Sequence, residues 1–190
     1  MSRSLFLTDA EHAKVGAAAD RLIPPEGPHP GGAALGVADY VDGLLGAFAV
    51  DPPRIWAGGP FSGRAGGDAS FDNFTPLTAS EELAWRTRIE GSRGVPERER
   101  LGPVVGWQDT YRSGIAALGD DFCTVDGEEQ DRRLAAQPGL RALLYAHACE
   151  ACYGAPEYGG NRGLQGWRAI DFPGDVQPRG WTDAEVTHGS

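Results

Sequence analysis

Lysine is almost missing from this chain: Lys14 stands alone beside sixteen arginines, and it lies within a helical pattern. A phosphate-binding loop therefore has no lysine to use. The glycine strings Gly58-Gly59 to Gly63 and Gly159-Gly160-Asn161-Arg162-Gly163 also lack the preceding strand that a nucleotide site needs. The arginine bias itself reads as coding preference. A basic surplus is missing too. The net charge of −10 and pI near 4.8 argue against a nucleic-acid or anionic-membrane surface. No apolar run approaches the roughly 20 residues of a membrane span, so no transmembrane segment is expected. The opening MSRSLFLTDAEHAK has no apolar core, cleavage site or twin arginine. The expectation is a cytoplasmic protein, one exported with a signal-bearing partner, or one whose leader has been removed.

Strand patterning is scarce as well. No alternating run exceeds four residues, and neither a hairpin dipeptide between apolar runs nor a solenoid period appears. Cysteine is limited to Cys123, Cys149 and Cys152, so at most one internal disulfide forms and a thiol is left over. Cys149 and Cys152 share a helix face. Without a second pair they do not make a zinc site, and no βαβ pattern supports a thioredoxin motif. They read as buried structural thiols, with an inter-chain bond or a redox role as the alternative.

Helical signals are plentiful. Thr8-Asp9-Ala10-Glu11 is a capping box before Val15, Ala18, Ala19, Leu22 and Ile23, and Pro24-Pro25 stops that helix. A second helix is expected over Gly36–Phe48. A third opens at the capping box Thr78-Ala79-Ser80-Glu81 and carries Leu83, Trp85 and Ile89. Residues 101–118 show a further helical stripe through Val104, Val105, Trp107, Tyr111, Ile115 and Leu118. Asp126 with Glu129 caps a short helix to Ala136. Pro138 opens the last strong one, which Gly154 ends. The fold class is mainly α: about six helices in one compact domain with two long ordered Gly/Pro/aromatic-rich loops. Residues 1–152 form a helical platform and 153–190 an arm of the same domain.

Sites for chemistry are few. His12, His29, His147 and His188 form no metal-spaced cluster. His147 and Glu150 have the i, i+3 spacing of carboxylate–histidine metal sites but lack the matching pair, so they read as a polar helix face. Glu128-Glu129 and Asp120-Asp121 read as solvated cap and turn charges. Ser62 and Ser113 sit in no nucleophile elbow. A self-sufficient enzyme is not expected, and neither is a cofactor bound by this chain.

The two loops are residues 51–76, with Trp56, Phe61, Phe71 and Phe74, and residues 153–181. The second holds seven glycines and three prolines, which at that density exclude a helix or central strand, yet it also holds five aromatics and three arginines. Disordered segments are poor in aromatics, whereas Tyr, Trp and Arg are enriched at interface hot spots. The segment reads as a docking arm.

Gly154-Ala155-Pro156-Glu157-Tyr158-Gly159-Gly160-Asn161-Arg162, then Gly166-Trp167-Arg168, Phe172-Pro173-Gly174 and Pro178-Arg179-Gly180-Trp181, resemble the C-terminal signature of the gluconate 2-dehydrogenase subunit 3 family. The start is similar too, in Leu7-Thr8 to Glu11, Ala19-Asp20-Arg21-Leu22-Ile23-Pro24 and Ala34 to Asp42. Residues 50–135 match only in general character. The resemblance implies a small non-catalytic subunit that binds an FAD-dependent large subunit of the glucose–methanol–choline type, which oxidises sugars or other alcohols, and supports its maturation. A cytochrome c subunit often passes electrons onward in such complexes. The export signal frequent in the family is not seen here. On this reading Tyr158 and Trp167 are apolar anchors, and Arg162 and Arg179 pair with partner carboxylates, with Arg168 beside them. Gly159 and Gly160 permit a tight turn that Asn161 ties. Each has an internal alternative, with Trp167 closing its own core and Asn161 capping its own turn. The alternative to the subunit role is a stand-alone binding or redox module built on Cys149, Cys152 and the aromatic loops.

Overall fold

Thr8 sets where the chain first becomes helical. Its hydroxyl accepts from the Glu11 amide at 3.3 Å while the Glu11 carboxylate takes the Thr8 amide at 2.8 Å, so two donors without intrahelical partners are satisfied reciprocally. The computed structural model describes residues 4–58 and 74–173. Helix α1 spans Asp9–Leu22, and buries Val15, Ala18 and Ala19. Helix α2, Val37–Leu45, starts from Gly36 at φ 88° and buries Val37, Ala38, Val41 and Leu45. Helix α3, Ala79–Glu90, repeats the capping box with Thr78 and Glu81 but buries only Ile89. It leans on α4, Trp107–Ala117, from the edge of the domain.

Helix α5, Gly127–Ala135, is capped by Asp126, whose carboxylate accepts from the Glu129 amide at 2.9 Å. Helix α6, Pro138–Tyr153, runs through the centre and touches α1, α2, α4 and α5. One core cluster joins these five helices, with Tyr111, Phe122, Leu35, Leu45 and Leu144 among its buried members. A smaller cluster of Ala47, Ile55 and Ile89 lies beneath α3. The described residues hold no strand, only two isolated bridges. The expected mainly α, single compact domain is what the chain forms.

The structure differs from three expectations. The stripe beginning at residue 101 becomes helical only at Trp107. Gly102 takes φ 104°, Pro103 bars helical backbone before it, and Val104 and Val105 stand exposed. The C-terminal segment is more helical than its glycine and proline content suggested. Residues Pro156–Tyr158 and Arg162–Leu164 are 3₁₀ turns, and α7 spans Gln165–Ala169, making seven α-helices among the described residues. Proline and glycine punctuate short turns here: Pro156 opens one, and Gly159 at φ 104° closes it.

His147, thirdly, is not on a polar face. It is buried, with Nδ1 3.0 Å from the Tyr111 hydroxyl and its ring edge-on to Trp107 at 4.7 Å. Burial pulls its pKa down to about 4. The unfolded chain binds a proton near pH 6.5 and the folded one only near 4, so stability falls as pH drops through that window. We expect a loss of about 2–3 kcal/mol between pH 7 and 4 from this group. Urea melts of wild type and His147→Gln should diverge in their pH dependence, the variant being flatter; parallel curves would contradict it.

Candidate functional site

The segment after α6 is held down by its own side chains. Asn161, fully buried and in the left-handed region at φ 45°, donates from Nδ2 to the Gly154 carbonyl and accepts from the Gly166 amide, each at 3.0 Å. Trp167 is 5% exposed and donates from Nε1 to the Tyr153 carbonyl at 2.7 Å. These bonds satisfy acceptors at the end of α6. Gly160 and Gly166 let the segment lie against that end: a Cβ at either position would overlap the carbonyl of Ala151 or Cys152. Asn161, Gly160 and Trp167 thus work within this chain.

This packing turns the rest of the segment toward α2. Arg162 pairs with Asp39, which also takes His12 Nε2 at 2.8 Å. Tyr158 meets Trp56 and Phe74, with ring centroids 5.8 and 5.6 Å away. Tyr158 and Arg168 are exposed, and Arg162 is about half exposed. Arg179, assigned to the same surface from sequence, lies outside the described residues, as do Phe61, Phe71 and Trp181.

A cleft of about 640 Å³ opens between this segment, the starts of α1 and α2, and residues 54–56. Asp9 and His12 of α1, Asp39, Tyr40 and Asp42 of α2, and Glu150 of α6 give it a polar wall. Trp56, Trp85 and Tyr158 supply aromatic surface, and Glu157 and Gly159 form the facing turn. The Tyr40 hydroxyl donates to Glu150 at 2.7 Å; burial, then that carboxylate, pushes its pKa well up. Asp42 holds the chain leading into α1, accepting from the amides of Leu5, Phe6 and Leu7 at 2.8, 2.9 and 2.7 Å and from the Ser4 hydroxyl.

Sequence reasoning placed Tyr158, Gly159 and Arg162 at a binding surface and left out the acids they face. Asp39 and Asp42 were in the N-terminal motif, but nothing local reveals their partners. The thiols lie elsewhere. Cys152 is buried, and burial pushes its thiol up to about 12, so it stays protonated at neutral pH; Cys149 is half-buried and Cys123 exposed. Among the described residues no group of His, Cys, Asp and Glu is arranged to hold a metal, and no helix is long and apolar enough to cross a membrane.

No curated protein and no solved structure matches the chain. A family model does. That of gluconate 2-dehydrogenase subunit 3 matches residues 9–174, taking in both walls of the cleft and the pinned C-terminal segment, and the chain belongs to that family.

Proposed function

We propose that this chain is a non-catalytic small subunit that binds the FAD-dependent large subunit of an alcohol or sugar dehydrogenase and supports its maturation or stability. The observation that carries the reading is a family match running across both cleft walls. Tyr158, Arg162 and Arg168 present aromatic and guanidinium groups on the surface of the pinned segment, and such groups dominate protein–protein hot spots. Asn161, Gly160 and Trp167 fix the shape that presents them. FAD belongs to the partner on this reading.

The redox alternative has less support, because the buried Cys152 thiol is held in its unreactive protonated form.

Expression of the large subunit with and without this chain tests the maturation role. We expect co-expression to raise the yield of soluble, FAD-loaded large subunit several-fold. Equal yield and equal flavin occupancy in both cases would contradict it.

A further inference from the structure

Four rings run inward from the cleft wall into the main core. Trp85 of α3 borders the cleft and is half-buried. Its ring meets that of Trp107 on α4 edge-on, with centroids 6.1 Å apart. Trp107 meets His147 of α6 at 4.7 Å, and His147 stacks on Tyr111 at 5.8 Å with 4° between the ring planes. The Tyr111 hydroxyl lies 3.0 Å from His147 Nδ1, and neither residue is more than 2% exposed. Arg88, exposed on α3, sets its guanidinium over Trp85 at 4.8 Å and over Trp107 at 5.7 Å. Core packing needs no such order, with oxidisable indoles outside and a phenol bonded to a base inside.

We propose that Trp85, Trp107 and Tyr111 form a one-electron relay that carries an oxidising equivalent from the cleft wall to Tyr111, with His147 taking the phenolic proton. The oxidant is an oxygen-centred radical of the peroxyl class. It takes one electron from the Trp85 indole and a proton from water, and becomes a hydroperoxide. Trp107 then refills Trp85, and Tyr111 refills Trp107. The Tyr111 O–H bond breaks as the electron leaves and its proton moves to His147 Nδ1, so a neutral phenoxyl radical and an imidazolium remain. Two features give the relay its direction. A cation facing a ring opposes positive charge on that ring, so Arg88 drives the electron vacancy away from both indoles. Burial keeps His147 neutral, with a pKa of about 4, so Nδ1 accepts from the phenol in the tautomer protonated at Nε2. Burial also holds the Tyr111 phenol protonated, so electron and proton leave together. An oxidised phenol is a far stronger acid than imidazolium, and the transfer to His147 is downhill. The relay uses this chain's own core and does not depend on the subunit reading.

Pulse radiolysis of the full chain tests it, with azidyl radical as the one-electron oxidant of tryptophan. We expect the indolyl absorption to decay into the phenoxyl band at a rate independent of protein concentration. Tyr111→Phe should lose most of that phenoxyl signal, and Trp107→Phe should slow its appearance at least several-fold. Arg88→Gln and His147→Gln should slow it too, and deuterated water should slow wild type more than His147→Gln. Tyr145→Phe, which alters a phenol exposed on α6, is the control and should leave yield and rate unchanged. Thermal melts accompany each variant. Trp85→Phe, which removes the entry of the relay at the edge of the domain, serves if a core variant fails to fold, and should lower the phenoxyl yield. Folded Tyr111→Phe or Trp85→Phe with wild-type yield and rate would overturn the proposal. Loss of the signal in Tyr40→Phe but not in Tyr111→Phe would also overturn it, placing the radical at the phenol bonded to Glu150. So would a rate that scales with protein concentration, since transfer between molecules needs no relay.

Discussion

Alanine at Trp167 is expected to cost the fold about 3–5 kcal/mol, the usual range for removing a large buried aromatic. The indole is 5% exposed, packs edge-on against Phe172 at a centroid distance of 5.0 Å, and caps the Tyr153 carbonyl at the end of α6. Removing it leaves a cavity and an acceptor without its donor. Trp167→Phe keeps most of the ring and loses the donor, so it should cost roughly 1–2 kcal/mol. Urea midpoints at constant slope would measure both. The experiment also separates two roles for this residue. A side chain serving only as a partner anchor would leave the isolated chain's stability unchanged while weakening association. An alanine variant as stable as wild type would therefore contradict the packing described here.

Asp42→Ala is expected to be about as damaging, at about 3–5 kcal/mol, because three backbone amides and a hydroxyl lose one shared acceptor. Those amides fix residues 5–7, including the buried Leu7, just ahead of the capping box of α1. The loss should appear as faster amide exchange at Leu5, Phe6 and Leu7 before the rest of α1 is affected. Burial alone would raise the Asp42 pKa, but the amide bonds from Leu5, Leu7 and Phe6 outweigh it and hold the carboxyl below its usual range. Its stabilisation is therefore complete above the unfolded value near 4, and is lost as pH falls through the lower folded value. Wild-type protection of residues 5–7 in the alanine variant would show that something else holds them.

How much of this was legible in the sequence follows from the range of each interaction. The capping boxes at Thr8 and Thr78, the Asp126 cap and the Pro138 start are settled within a few residues, and the structure places those helix starts where the sequence did. The start of α4 is hidden in the sequence, because Val104 and Val105 match a helical stripe whose continuity Gly102-Pro103 breaks. The C-terminal segment carries no legible helical signal, because its glycine and proline density gives no period. Its short helical pieces depend on Asn161 and Trp167 reaching back to the end of α6. The burial of His147 depends on Tyr111 and Trp107 of another helix. The cleft was the least legible feature. It needs Tyr40 to meet Glu150, 110 positions away, and Arg162 to meet Asp39. Nothing in the spacing of either segment announces the other.

An affinity pull-down of this chain after co-expression with the neighbouring open reading frames, followed by an absorbance scan of the eluate, tests the subunit role. A co-eluting larger dehydrogenase subunit that carries the visible absorption of bound flavin is the expected result. A colourless chain eluting alone, folded and monomeric, would contradict it.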